Sequence, residues 1–275
     1  MLEPFSLPFV QRGLVEVALL AVAGGLIGTW VVLRGLAFFS HAVGTAAFPG
    51  LVLADGLSFS AHLGALGTAG IVAGAVAALS HRDARRYDSA TGLVLVAALA
   101  AGVILASDVF HSGAGVDTLL FGSLLVIGTP DLLWAAAAGL VVVAATLVLG
   151  PRWLASGFDP AGARASGVRT AAADAALVAL VALVAIASLS AVGALLAAAL
   201  IVVPAATTRL LCSRMTSGQH ATVALAAAEG VVGLWASVQL DAPPGAAIAV
   251  LSGAVFAAVA LGRALGERLR APRLA

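Results

Sequence analysis

The chain has 275 residues, of which 62% are hydrophobic and 10% charged, and its mean hydropathy is +1.12. About a quarter of the residues in a soluble domain are charged, so this composition excludes a soluble globular protein and predicts an all-α, polytopic transmembrane helix bundle. The formal net charge of +1, without a lysine, argues against nucleic acid as a partner, and the single cysteine excludes an internal disulfide.

The first three spans follow one another closely. An apolar run crosses at 14–33 and stops at Arg34, the second span contains His41, and the third covers 61–80. The basic segment 81–88 is assigned to the cytoplasm by the positive-inside rule. Counting back from it places Arg34 inside and the N-terminus outside.

Two ionisable residues stand near the outer ends of these spans. Glu16 lies near the start of the first span, where the interface is the expected environment. His62 opens the third span and is expected to be solvated. Both are therefore interpreted as surface groups.

His41 is the ionisable residue that the pattern places inside an apolar run. On a helix, His41 and Thr45 stand one turn apart on one face, and Pro49 and Gly50 predict a helix break further on. A buried imidazole is costly and usually faces a bundle interior or cavity, so one interpretation is a pathway for a small ion. The other is that His41 lies at the headgroup level and is solvated.

A fourth span is predicted at 90–107, and the outer loop after it contains Asp108, His111 and Asp117. Two carboxylates and an imidazole can bind a cation, but their spacing matches no chelating motif, so ordinary solvation is the competing interpretation. The apolar run 119–127 is too short to cross a bilayer and is expected to be re-entrant or interfacial.

A full span at 130–150 leads into the segment 151–169, whose three arginines place it in the cytoplasm. Within it, Asp159 and Pro160 predict a helix start with the aspartate as N-cap, and Gly167 predicts a C-cap. A short capped helix on the cytoplasmic face suits docking to a soluble partner. The alternative is a surface helix that only joins two spans.

Further spans, for a total of eight or nine, are predicted at 175–188, 191–211, 221–238 and 246–261. Pro204 lies deep in a helix, where it frees a backbone carbonyl and predicts a kink, useful beside a pathway and also common in packing. Glu229 is the carboxylate that lies well within a span, and it is a candidate lining residue. Gly230 and Gly233 beside it equally suit a tight helix contact.

Several stretches, in this order, resemble the membrane permeases of ABC-type importers for zinc, manganese and related divalent metals. They are Val-Leu-Arg-Gly-Leu-Ala-Phe-Phe at 32–39, Ala-Phe-Pro-Gly at 47–50, Leu-Phe-Gly-Ser-Leu-Leu at 120–125, Phe-Asp-Pro at 158–160 with Ala-Ser-Gly-Val at 165–168, Ala-Val-Gly-Ala-Leu-Leu at 191–196, Ile-Val-Val-Pro-Ala-Ala-Thr-Thr-Arg-Leu at 201–210, and Asp-Ala-Pro-Pro-Gly at 241–245. No single stretch decides the matter, but the set covers nearly the whole chain.

The resemblance implies a single transmembrane permease domain over 1–275 in the cytoplasmic (inner) membrane. Such a permease is not an enzyme and holds no permanent cofactor; it is a homodimer that sits on separate ABC ATPase subunits and receives metal from an external binding protein. The resemblance also implies a coupling helix for the ATPase at about 156–169. The residues that it assigns to ATPase coupling are Phe158, Asp159, Pro160, Arg164 and Gly167.

The sequence departs from the family pattern at the metal site. Relatives commonly have Asp-Ala-Leu-Ser-His before the Pro-Gly, and alignment on Pro49 and Gly50 puts His41 at the aspartate and Thr45 at the histidine. An imidazole suits zinc better than a hard carboxylate does, and a subgroup of zinc permeases is similar in carrying a histidine here. Zinc is therefore the expected cargo, bound transiently by His41 with help from Thr45 and Glu229.

Other functional classes are alternatives to a zinc permease. A manganese or iron permease of the same family shares every motif, and a proton-coupled secondary transporter could use His41 and Glu229 to carry protons. Permeases for larger chelates share the architecture, and a structural scaffold needs no site. The sequence contains no His-Glu-x-x-His, Gly-x-Ser-x-Gly or phosphate-binding loop, which argues against a hydrolase and places ATP hydrolysis on another chain.

Overall fold

A computed structural model describes residues 7–80, 87–109, 120–123, 127–193 and 197–270. Within these ranges the regular structure is helical. The helices are α1 (Pro8–Leu33), α2 (Ala37–Ala46), α3 (Phe48–Gly56), α4 (Ala61–Ser80), α5 (Tyr87–Ile104) with a π-helical turn at Leu105–Val109, α6 (Thr129–Phe158), α7 (Pro160–Ala165), α8 (Thr170–Ala187), α9 (Leu189–Val192), α10 (Ala197–Leu211), α11 (Met215–Leu240) and α12 (Pro244–Arg270).

Seven helical segments of the described residues are long and apolar enough to cross a membrane. They are Pro8–Leu33, Ala37–Gly56, Thr91–Val109, Thr129–Phe158, Thr170–Ala187, Met215–Leu240 and Pro244–Arg268. Two shorter apolar helical segments, Ala61–Ala75 and Ala197–Leu211, bring the set close to the eight or nine spans predicted. The all-α membrane bundle expected from composition is confirmed.

Two predicted boundaries are wrong. The span expected to end at Gly150 continues through Pro151 to Phe158, because Trp153 is fully buried and its indole N–H donates to the carbonyl oxygen of Ala173 on α8 at 2.7 Å. Tertiary packing thus outweighs the helix-breaking tendency of one proline. The span expected at 191–211 is also interrupted, since α9 ends at Val192 and Gly193 has a φ of 83°.

Helix α1 lies at the centre of the bundle, where it packs most extensively against α11, α6 and α10. The packing is close because small residues line the crossings. A Cβ at Gly28 would overlap the carbonyl oxygen of Ile201 on α10, and a Cβ at Gly25 would lie 2.8 Å from the Cα of Val223 on α11. Van der Waals contact between helix backbones therefore holds this centre together, as expected inside a bilayer.

The helix break predicted at Pro49 and Gly50 occurs just before them. Helix α2 ends at Ala46, Ala47 lies between the helices, and Pro49 occupies the first turn of α3, where its missing N–H costs no hydrogen bond. Gly50 has a different role from the one predicted. A Cβ on Gly50 would overlap the carbonyl oxygen of Gly64 on α4, and a Cβ on Gly64 would overlap that of Gly50. This reciprocal contact sets the crossing of α3 and α4.

Candidate functional site

His41 and Thr45 lie on α2, one turn apart, as the sequence predicts. Helix α2 packs against α4, α5, α8 and α10, which places it inside the bundle. The imidazole of His41 is half-buried, and the Thr45 side chain is 1% exposed with no hydrogen-bond partner for its Oγ1 among the described residues. A threonine hydroxyl in a helix commonly bonds to the carbonyl one turn back, but the Thr45 hydroxyl does not, so its oxygen is free to contact an ion. The pair offers two donor atoms to an ion.

Glu229 is buried, and it lies on α11, a different helix from His41 and Thr45. Its Oε2 accepts a 2.6 Å hydrogen bond from the Ser252 hydroxyl on α12, and its Oε1 has no hydrogen-bond partner among the described residues. Helix α11 packs on α1, α10 and α12, whereas α2 packs mainly on α4, α5, α8 and α10, so α10 is the main neighbour that the two helices share. In a single chain the structure therefore places Glu229 and His41 at different helix contacts, and its role as a ligand stays a prediction.

The structure describes Asp108 alone among the predicted ligands of the outer loop. Asp108 is exposed in the π-helical turn after α5, where its Oδ2 accepts a 3.3 Å hydrogen bond from the Ser107 hydroxyl. His111 and Asp117 lie outside the described residues. Across the part of the chain that is described, no three His, Cys, Asp or Glu side chains converge at metal-binding distances.

The predicted docking segment forms the capped helix α7. Asp159 is its N-cap, because Oδ1 accepts the backbone N–H of Gly162 at 2.9 Å, and Pro160 is its first residue. At the other end, Gly167 adopts a φ of 82°, and the N–H groups of Gly167 and Val168 bond to the carbonyls of Arg164 and Ala163. The N-cap prediction is confirmed, whereas the C-cap is Ser166, and Gly167 follows it as the left-handed residue that ends the helix.

The surface around α7 suits a partner. Phe158 is 73% exposed directly before the N-cap, and Arg164 is exposed on the helix itself. An exposed aromatic and an exposed arginine on one short segment are more typical of an interface than of a free surface. A groove of about 540 Å³ lies between α6, the loop that follows α7, and the start of α8. It is lined by Leu149, Arg152, Ser166, Gly167, Val168, Arg169, Ala172, Ala173 and Ala176.

We expect Asp159→Ala to destabilise α7 by about 1 kcal/mol, or about fivefold in its local folding equilibrium, because the cap is lost from a short helix. Hydrogen exchange of the amides at 161–166 measures this change. Ser166→Ala is the matched control, since its hydroxyl donates to the Gly162 carbonyl and caps no N–H group. Equal protection in the native chain and in Asp159→Ala would contradict the capping role.

A polar network at this end of the bundle was missed by sequence reasoning. The guanidinium of Arg34 donates to the Trp153 carbonyl oxygen at 3.1 Å and the Ser156 hydroxyl at 2.9 Å through Nη1, and to Asp174 Oδ1 at 2.5 Å through Nη2. The partners lie more than a hundred residues from Arg34, so no local spacing signals them. The acidic Asp174 near the start of an apolar span was the available hint.

A second polar cluster joins the predicted outer ends of α1, α4 and α6, and it corrects two interpretations. Glu16, expected at the interface, is fully buried, and His62, expected in solvent, is 7% exposed. The His62 imidazole stacks on Trp134 with ring centroids 5.1 Å apart, and its Nε2 lies 3.5 Å from Asp131 Oδ1. Glu16 is buried where α1 packs against α6 and α11, and His62 is buried by its contacts with Trp134 and Asp131 of α6. The sequence of one helix alone does not reveal such contacts.

Comparison with known proteins gives matches along almost the whole chain. Residues 6–262 match the family described as the ABC 3 transport family. The chain is 32% identical over 256 residues to the manganese transport system membrane protein MntC of Halalkalibacterium halodurans, covering 92% of this chain and 86% of the relative. It is 29% identical over 262 residues to the chelated iron transport system membrane protein YfeD of Yersinia pestis, covering 94% and 86%.

The fold has a counterpart among solved structures. PsaBC from Streptococcus pneumoniae in complex with Fab superposes with a TM-score of 0.85 over 94% of this chain and 95% of that chain, at 23% identity. At that identity the likeness concerns the fold alone. It agrees with the helix bundle built above from composition and packing.

Proposed function

Because the chain belongs to the ABC 3 transport family, we propose that it is the permease subunit of an ATP-driven importer that moves a divalent transition-metal ion across the cytoplasmic (inner) membrane. ATP hydrolysis takes place on a separate ATPase that docks on α7. An external metal-binding protein supplies the ion, and two copies of this chain form the pathway.

The observation that carries the proposal is the donor pair His41 and Thr45 on an interior helix that is interrupted at Ala47. A polar group without a partner is costly inside a bundle, so it favours a function over plain packing. Two donors from one chain give weak, transient coordination. That suits a transporter, since a closed four-ligand site would release its ion too slowly.

The donor chemistry favours zinc as the cargo. Imidazole suits zinc and iron, whereas carboxylate oxygen suits manganese, and the pair on α2 offers an imidazole and a hydroxyl but no carboxylate. Manganese and iron are the second candidates, because the relatives described above are named for those metals. In a dimer two His41 side chains would face one pathway.

The test is ATP-dependent uptake of radiolabelled zinc, manganese and iron into vesicles that hold the permease, its ATPase and the external binding protein. We expect zinc uptake that requires hydrolysable ATP and survives a protonophore. Uptake that persists without ATP and collapses with the proton gradient would instead support the proton-coupled transporter. ATP-dependent uptake of manganese without uptake of zinc would show that manganese is the cargo, and it would still support an ATP-driven importer.

His41→Asp is expected to move the metal preference toward manganese by about tenfold, because it exchanges an imidazole for a hard carboxylate at the same place on α2. The measurement is the ratio of zinc to manganese uptake, with each metal competing against the other. Asp159→Asn, which changes a carboxylate remote from the pathway, is the control for that ratio. An unchanged ratio of zinc to manganese uptake in His41→Asp would show that His41 does not determine which ion is transported.

A further inference from the structure

Arg34 joins the two parts of the chain that an ATP-driven importer must connect. Its guanidinium is largely buried and contacts α6 at Trp153 and Ser156, and α8 at Asp174. Ser156 also donates to Asp174 at 3.2 Å, so each of the three side chains of Arg34, Ser156 and Asp174 is hydrogen-bonded to the other two. Arginine keeps its charge under all physiological conditions, and its planar fork fixes the direction of several hydrogen bonds at once.

The partners of Arg34 flank the docking helix α7 on both sides. Trp153 and Ser156 lie in the last turns of α6, immediately before α7, and Asp174 lies in the first turns of α8, immediately after it. The Trp153 indole donates to the Ala173 carbonyl oxygen and thereby fastens α6 to α8. Gly157 leaves room for the guanidinium, because a Cβ there would lie 3.1 Å from Nη1 of Arg34.

On its other side, Arg34 lies where α1 turns into α2. Gly35 has a φ of 67°, which glycine adopts without strain, and α2 begins two residues later with His41 in its second turn. Trp30 of α1 meets Trp153 edge to face with ring centroids 5.3 Å apart. Direct contacts thus connect both ends of α7 to the base of α2.

We propose that Arg34 is the positioning residue through which α7 controls the orientation of α2, so that ATP-driven movement at the docking surface reaches the His41 and Thr45 pair. This inference rests on the proposed function. It differs from a purely structural role in one measurable respect: loss of Arg34 separates ATP hydrolysis from transport, whereas loss of a structural tie lowers both together.

The experiment uses the complete complex in proteoliposomes and measures ATP hydrolysis and metal uptake in the same preparation. We expect Arg34→Gln to lower the metal imported per ATP hydrolysed by at least about tenfold, while hydrolysis changes by less than about twofold. Arg34→Lys, which keeps the charge but not the fork, should retain part of the ratio. Asp174→Asn should resemble Arg34→Gln, and the double variant should be no worse than either alone.

Arg263→Gln is the matched control, because its ion pair with Glu267 at 3.3 Å stays within α12, and it should leave the ratio unchanged. A native complex that imports metal, with an unchanged ratio in Arg34→Gln, would overturn this inference alone. The same follows if hydrolysis and uptake fall in parallel in both Arg34→Gln and Arg34→Lys. A native complex that imports no metal would overturn the proposed function and this inference with it.

Discussion

Metal uptake by the complete complex is expected to fall at least about tenfold when His41 is replaced by alanine. Loss of a group that only orients a ligand typically costs about 10-fold to 100-fold in metal affinity or activity, so loss of one of two donors should cost no less. ATP hydrolysis by the docked ATPase should persist, because His41 lies on α2, away from the exposed surface around α7. The measurement is ATP-dependent zinc uptake, with hydrolysis followed in parallel.

The matched control for this prediction is His220→Ala. His220 is exposed on α11, and its Nδ1 lies 2.9 Å from the Thr216 carbonyl oxygen within the same helix. Its removal should leave uptake unchanged. Thr45→Val, which replaces the unpaired hydroxyl by a methyl of similar size, should give a smaller loss than His41→Ala. Full uptake in His41→Ala would show that the metal site does not include His41, and Glu229 and Asp108 would be the next candidates.

Gly64→Ala is expected to cost about 3 kcal/mol of stability, at the upper end of the range for overpacking, because the new methyl would press on the Gly50 carbonyl. The Ala54 Cβ, 3.0 Å from the position of that methyl, leaves no space on the other side. Backbone atoms cannot rotate away as a side chain does, so α3 and α4 must separate. The measurement is unfolding of the purified permease in detergent or lipid.

Gly67→Ala provides the comparison, because it makes the same chemical change on the same helix where no atom lies within 4 Å of the added Cβ. Alanine is favoured over glycine in a helix by up to about 1 kcal/mol, so this variant should be neutral or slightly more stable. The helix preference for alanine is the same in both variants, so the difference between their stabilities measures the cost of overpacking at the contact of Gly64 with Gly50. Equal stabilities would mean that α3 and α4 do not cross at these glycines.

The agreement between sequence and structure is best where the deciding interactions are local. The apolar runs predict the membrane bundle, because a bilayer requires about twenty apolar residues for each crossing. Asp159 and Gly167 predict the ends of α7, since each residue bonds to groups within four residues along the chain. His41 and Thr45 share a face of α2 because helical geometry alone places them there.

The disagreements share one physical cause. Glu16 is buried because α1 packs against α6 and α11, and His62 because it stacks on Trp134 of α6. Gly50 serves a helix crossing because Gly64 lies opposite. Pro151 does not end α6, because Trp153 packs into the bundle beyond it. In each case the partner lies on another helix, and the hydropathy and spacing within one helix carry no information about it.

The sequence by itself therefore determined the class of the protein, most of its spans, the ends of α7 and the pairing of His41 with Thr45, all of which depend on composition or short-range geometry. Only the tertiary structure decided which polar groups meet. The bond of Glu229 with Ser252 and the contact of Arg34 with Asp174 both depend on how helices pack, and packing is fixed by the close fit of many small side chains at once.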